Sequence, residues 1–351
     1  MKKISRREFL AASAVVGATG LLTACGGGSD STAASTPAST AGDAGSKAVK
    51  LVYNEVNPGT SLAGQVAHKL AEEAAALSGG TITVEVHDGG SLMGHENDVL
   101  EDMTGAAPTI DVTRIAIMSL DNYGVPSTRL TNVPYLFAGR KHYWDFCASE
   151  MGQKMLTDPA DKGLGIVGKC YFEEGFRHFF FSKEVTKLED MKGLNIRVST
   201  SSLYTDMVKG LGANPVDIPF GDLYTSLGGV CEGAEQPIAN YQANSFYEPA
   251  PYMILDGHVM GTGMLIMTEA GWDKLDAEQQ EAMTKAFANT EAFNKEKSES
   301  AEAESRKICE DAGAVFTPVD DLKPWQDACV KVINDNIKGL EDMYNDILAM
   351  A

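Results

Sequence analysis

The chain has 351 residues, 49 of them acidic and 29 basic, so its formal charge is −20. That length suits about two domains, and a hydrophobic fraction of 44% is enough for proper cores. The charge argues against a broad basic face for nucleic acid or anionic lipid, although a few buried arginines can still make one pocket cationic.

Residues 1–24 read as an export signal. Lys2, Lys3, Arg6 and Arg7 precede an apolar run from Ala11 to Leu22. That run is too short to span a bilayer, which needs about 20 apolar residues. Ser5-Arg6-Arg7-Glu8-Phe9-Leu10 fits the twin-arginine pattern for export of a folded protein. Leu22-Thr23-Ala24-Cys25 resembles a lipobox, in which the cysteine becomes the lipidated first residue; an ordinary cleaved signal is the alternative. Residues 25–46, rich in Gly, Ser, Thr and Ala, are expected to form a flexible tether. No later segment is long and uncharged enough to span, so the body is expected to be held to the membrane by its lipid anchor only. Cys147, Cys170, Cys231, Cys309 and Cys329 form no C-x-x-C pair and are expected to be buried thiols.

The body opens with a strand at Lys50–Tyr53. A helix follows, capped by Ser61, carrying Leu62, Val66 and Leu70 on one stripe and ending at Gly79-Gly80. Thr81–His87 alternates as a strand. A helix over Glu96–Met103 and a strand at Ile110–Thr113 continue the rhythm. Gly165–Phe172, Arg177–Phe181, Leu194–Val198 and Asn214–Ile218 read as further strands, with a helix through Leu203 and Met207 ended by Gly212. Tyr252–Leu255 and Gly263–Met267 are candidates to cross between lobes. Asp276-Ala277-Glu278-Gln279 is a capping box for a long helix to about Asp311, and a last helix fits Lys323 to Met350. Alternating strands and helices predict an α/β fold.

Enzyme signatures are sparse. The six histidines show no metal-binding spacing, and there is no phosphate-binding loop, serine elbow or dinucleotide fingerprint. Arginines beside loops are the informative feature. Arg177 follows Glu173-Glu174-Gly175-Phe176, and Arg197 sits in Gly193-Leu194-Asn195-Ile196-Arg197-Val198. Taken alone, Arg197 reads as a structural arginine paired with Asp217 or Asp222, and Arg177 as one paired with Glu173 or Glu174.

Gly-Leu-Asn-Ile-Arg-Val is followed by Gly212-Ala213-Asn214-Pro215, Asp222-Leu223-Tyr224-Thr225-Ser226-Leu227 and Gly233-Ala234-Glu235-Gln236-Pro237. With Gly94-His95-Glu96 and Val133-Pro134-Tyr135 upstream, this order resembles the DctP-type substrate-binding proteins of TRAP (tripartite ATP-independent periplasmic) transporters, over roughly residues 50 to 320. The resemblance implies a two-lobed periplasmic-binding-protein-like α/β fold, with the ligand cleft between lobes and the long helix spanning both. Residues 47–172 with 262–295 would form the N-terminal lobe, and 173–261 with 296–351 the C-terminal lobe. It implies no enzyme and no cofactor or metal. It implies capture of a small organic acid for the small and large membrane permease subunits. Arg197 would clamp the ligand carboxylate, as a planar, always-charged fork can. Arg177 is a second candidate. Arg114 and Glu235 resemble the subgroup that binds sugar acids such as uronates, so a uronate or aldonate is expected, with a C4-dicarboxylate or keto acid as the alternative. A binding lipoprotein of an ATP-driven importer and a surface carbohydrate enzyme are the rival classes. Gln236 and Pro237 stand where that subgroup has Asn and, soon after, a tryptophan, which leaves the ligand open. Asn240, Glu55 and Asn54 are candidate polar contacts, and Phe220 and Tyr171 candidate apolar walls; core packing is the plain alternative for both rings.

Overall fold

A computed structural model describes residues 47–198 and 201–351. The expected signal at 1–24, Cys25 and the tether to residue 46 lie outside the described residues. In chain order the elements are β1 (Val49–Asn54), α1 (Leu62–Leu77), β2 (Ile82–His87), α2 (Glu96–Met103), β3 (Val112–Ala116), α3 (Arg140–Ala148), α4 (Glu150–Asp161) and β4 (Ile166–Phe181). Then come β5 (Asn195–Val198), α5 (Ser202–Gly210), β6 (Asn214–Asp217), α6 (Leu223–Ser226), β7 (Gly233–Pro237), α7 (Ile238–Ala243) and β8 (Tyr252–Thr268). The chain closes with α8 (Glu269–Trp272), α9 (Ala277–Asp311), β9 (Val315–Pro318), α10 (Lys323–Asn336) and α11 (Glu341–Leu348).

The caps act as their residue types predict. Ser61 Oγ accepts from Gly64 N at 3.0 Å to open α1. Asp276 and Gln279 close a reciprocal capping box on α9. Gly212, at φ +87°, follows α5 as a left-handed glycine.

Among the described residues the nine strands form one sheet, in the order β2-β1-β3-β8-β4-β7-β5-β6, with β9 on the free side of β8. The antiparallel pair β4 and β8 runs through both halves. Near Cys170 and Leu265 it is flanked by β3; near Phe180 and Met253 it is flanked by β7 and β9. The two lobes therefore share two strands. Each of these strands joins segments that the sequence pattern separates, because the apparent breaks are bulges. Gly175 sits in one of them at φ +86°, where a Cβ would lie 2.1 Å from a carboxylate oxygen of Glu302.

Helices cover both faces. Leu70 of α1 and Phe287 of α9 pack on one face of the first lobe, and Phe146 and Leu100 on the other. In the second lobe Trp325 and Met207 cover one face and Tyr241 and Cys309 the other. Helix α9 spans the lobes, with Met283 in the first core and Cys309 in the second. All five described cysteines are free and buried.

The C-terminus differs from expectation in two ways. The single helix over Lys323–Met350 is two, broken around Gly339 at φ +78°. Nor does all of 296–351 pack with the second lobe. Ile347 of α11 joins the first lobe's core, and His142 Nε2 donates to its carbonyl at 2.6 Å.

Candidate functional site

A cavity of about 420 Å³ opens beyond the carboxyl ends of β1, β3, β5 and β6, and takes its walls from both lobes. Small-molecule sites in open α/β sheets form at such ends, where parallel strands stop pairing. Residues after β1 (Asn57), along β3 (Arg114), on β4 (Glu174, Arg177), on β5 (Arg197) and after β6 (Ile218, Phe220) all reach it.

Four arginines line the wall, and three of them are neutralised. Arg177 Nε and a terminal nitrogen contact the Glu235 carboxylate at 2.5 and 2.9 Å. The register Arg177–Pro237 makes this a diagonal cross-strand pair. Arg114 donates to Glu55 at 3.1 and 3.4 Å. Arg129 grips Asp121 through two contacts of 2.8 Å. Burial works against the charge on Arg114 and Arg177, but Glu55 and Glu235 outweigh it and push both pKa values up.

Arg197 differs. It is 4% exposed, and its Nε donates to the Ile218 carbonyl at 2.9 Å. Its guanidinium stands 5.9 Å from the centre of the Phe220 ring. Among the described residues it enters no ion pair, and neither Asp217 nor Asp222 pairs with it. Burial, with Arg177 adding to it, pulls its pKa down to about 10 against the opposing pull of Glu235 and Asp217. A desolvated cation with spare donors is arranged to meet an anion.

A buried charge chain runs behind the wall. Glu235 lies 3.5 Å from His258 Nε2, and His258 Nδ1 lies 2.7 Å from Asp256. The His258 ring stacks on Phe179 at 4.3 Å. Burial disfavours each charge, yet the partners prevail. Glu235 and Asp256 are held at about 2 and His258 is raised to about 9.

Of the candidate residues read from the sequence, Arg197, Arg177, Arg114, Gln236, Asn240 and Phe220 line the cavity. Four do not. Tyr171 is a core residue: its hydroxyl donates to the Gly152 carbonyl at 2.5 Å and its ring packs near Tyr143 and Phe146. Asn54 spends its amide on the Met93 backbone, donating and accepting at 3.1 Å. Glu55 is fully buried, accepting from Asn57 as well as Arg114. Glu235 is fully buried behind Arg177. The last two act on the wall only by neutralising arginines that reach it.

Several wall residues escape the sequence reading. Tyr204 donates to Asn132 Oδ1 at 2.8 Å, a bond from α5 to the end of the short 3-10 helix Pro126–Asn132. Glu96 accepts from Ala116 N at 2.7 Å and from Ser119 Oγ at 2.8 Å, and burial raises its pKa. Glu174 shares the Gly175 turn with Arg177, which is the one sequence signal that pointed near it. Asn132 and Tyr204 carry no local signal, since their meeting depends on how the lobes face each other.

Residues 53–338 match the family model described as bacterial extracellular solute-binding protein, family 7 (DctP). A solute-binding protein of Roseobacter denitrificans is 31% identical over 253 residues, covering 72% of this chain and 76% of the relative. A TRAP periplasmic solute-binding protein of Xanthobacter autotrophicus Py2, solved with bound β-D-galacturonate, superposes with a TM-score of 0.79 at 28% identity, covering 85% of this chain and 99% of that one. Another, from Roseobacter denitrificans OCh 114 with bound L-galactonate, gives a TM-score of 0.79 at 26% identity, covering 86% and 99%.

Proposed function

The chain belongs to the bacterial extracellular solute-binding proteins of family 7, and on that premise we propose that it captures a sugar acid with one carboxylate, a uronate or aldonate, for a TRAP membrane permease. The observation that carries this reading is Arg197, buried at the cavity wall with no carboxylate partner among the described residues. A ligand carboxylate supplies the missing anion through two parallel hydrogen bonds. One carboxylate is favoured over two because the other wall arginines already hold Glu235, Glu55 and Asp121. The remaining wall also carries Glu96, Asp98, Glu174 and Asp217, which would repel a second anionic group. Gln236 and Asn240 offer amides to hydroxyls, and Phe220 gives a sugar ring an apolar face.

The mechanism is binding with lobe closure, not bond chemistry, since contacts from both lobes favour the closed state. Export through residues 1–24 and a lipid on Cys25 would place the receptor outside the cytoplasm, beside the small and large permease subunits. Among the described residues no helix is long and apolar enough to cross a membrane. A thermal-shift panel of D-galacturonate, D-glucuronate and L-galactonate, with succinate for comparison, tests the reading. Stabilisation by a sugar acid and none by succinate is expected; no response to any sugar acid would sink it.

A further inference from the structure

We propose that Glu174 is the specificity-determining acceptor for one ligand hydroxyl, so that this receptor distinguishes a sugar acid from the same acid deoxygenated at that position. The inference rests on the sugar-acid reading above and goes further by assigning a residue to the hydroxyl end of the ligand.

Glu174 lies on β4, between the buried Glu173 and Gly175, and lines the cavity while remaining about nine-tenths buried. Its two carboxylate oxygens differ. Oε2 accepts from Asn240 Nδ2 at 3.1 Å. Oε1 is buried and has no hydrogen-bond donor among the described residues. The nearest cation, a terminal nitrogen of Arg114, is 3.9 Å away, beyond hydrogen-bond reach. Arg114 also has a closer partner in Glu55 at 3.1 Å, so it is not free to turn toward Glu174.

A buried acceptor left unpaired costs free energy, and native chains almost always give it a donor. The protein's other buried carboxylates illustrate the rule. Glu235 is met by Arg177, and Glu55 by Asn57 and Arg114. Glu174 Oε1 stands apart from these, on a side chain that lines the cavity. A ligand O–H would donate to it directly. An ammonium group would fit the charge of Glu174 but would meet Arg114, Arg177 and Arg197 across the same small cavity. A second ligand carboxylate would be repelled. A neutral hydroxyl is the donor that suits all of these neighbours. Because Asn240 holds the other oxygen, the carboxylate plane is set before the ligand arrives, which sharpens discrimination.

The test is isothermal titration of the whole secreted body with D-galacturonate, D-glucuronate and L-galactonate. The tightest of the three is then compared with its monodeoxy analogues, in the wild type and in Glu174→Ala and Glu174→Gln. In the wild type, one deoxy position should cost roughly 10- to 100-fold in Kd, the range of a hydrogen bond to a charged group. In Glu174→Ala that single penalty should vanish while the penalties at other positions persist, the signature of a direct pair. Glu174→Gln, which keeps an acceptor of the same shape, should retain part of it and guards against loss of folding in the alanine variant. Identical penalty profiles in all three proteins would overturn the assignment. Failure of the wild type to bind any of the three acids would instead overturn the sugar-acid reading, and this assignment with it.

Discussion

Replacing Arg197 with methionine separates a ligand clamp from a structural arginine, because the two roles predict opposite signs in the empty protein. The Arg197 pKa is pulled down from its ordinary value to about 10, chiefly through burial. At 1.36 kcal/mol per pKa unit, the empty folded chain gives up about 3 kcal/mol to keep that charge inside. The sign follows from linkage. The folded pKa lies below the unfolded one, so at any pH under about 10 the charge disfavours folding, and stability recovers only as pH rises through that value. Methionine removes the charge and fills similar space, but loses the hydrogen bond to Ile218, worth about 1 kcal/mol. The net expectation is an empty protein more stable by about 2 kcal/mol, or roughly 3 °C in melting temperature for a body of this length. With ligand the order reverses. A hundredfold excess over Kd stabilises the wild type by about 2.7 kcal/mol. Arg197→Met should lose most or all of that, since truncating one partner of a buried charged pair costs about 2–5 kcal/mol. Melting curves with and without the best sugar acid, backed by titration calorimetry, read both signs. An empty variant melting several degrees lower, or one keeping the full ligand shift, would refute the reasoning.

The buried His258 chain predicts a pH profile. His258 is raised from 6.5 to about 9, so its contribution is complete below 6.5 and is lost as pH climbs through 9. Glu235 and Asp256, held at about 2, contribute above their ordinary values and lose that contribution as pH falls through 2. Melting temperature should therefore peak on the mildly acidic side and decline from neutral to pH 9, and His258→Gln should flatten the alkaline limb; an equal decline in that variant would assign it to other groups. Tyr204→Phe removes the bond to Asn132 and should weaken ligand binding about three- to tenfold with little change in far-ultraviolet dichroism; unchanged affinity would show that this contact does not favour closure. Gly175→Ala forces a side chain into a left-handed position with Glu302 only 2.1 Å from the new Cβ, and should destabilise by more than about 1 kcal/mol in urea melts. A wild-type midpoint would mean that the turn is free to relax.

Local chemistry made much of the fold legible. Ser61, the capping box at Asp276 and Gly212 mark helix ends because their side chains, or the lack of one, act on backbone groups within a few residues. The strands β1 and β2 announced themselves by apolar runs and alternation. The failures share one cause. β4 and β8 looked broken because a bulge carries the same glycine and polar signals as a turn, and only pairing with a partner strand tells them apart. The final helix looked continuous because nothing local shows that Ile347 returns to the first lobe's core.

The site divides in the same way. Residue types alone set Arg197 and Arg177 beside loops as structural arginines; it was the resemblance carried by the order of the motifs that made Arg197, Arg177 and Arg114 ligand candidates and implied an acid as ligand. Which arginine keeps a free charge was decided in three dimensions. Strand register sets Glu235 diagonal to Arg177, and the turn after β1 sets Glu55 beside Arg114, while the bend after β6 offers Arg197 a carbonyl and no carboxylate. Tyr171, Asn54, Glu55 and Glu235 share composition with a sugar-binding wall, yet packing turned them inward. Helix caps, strand patterns and the supply of arginines act over short stretches of chain, so the sequence by itself determined them. The pairing of Arg177 with Glu235 and of Arg114 with Glu55 depends on distances of a few ångströms between residues 58 and 59 positions apart, and only the tertiary structure could decide it.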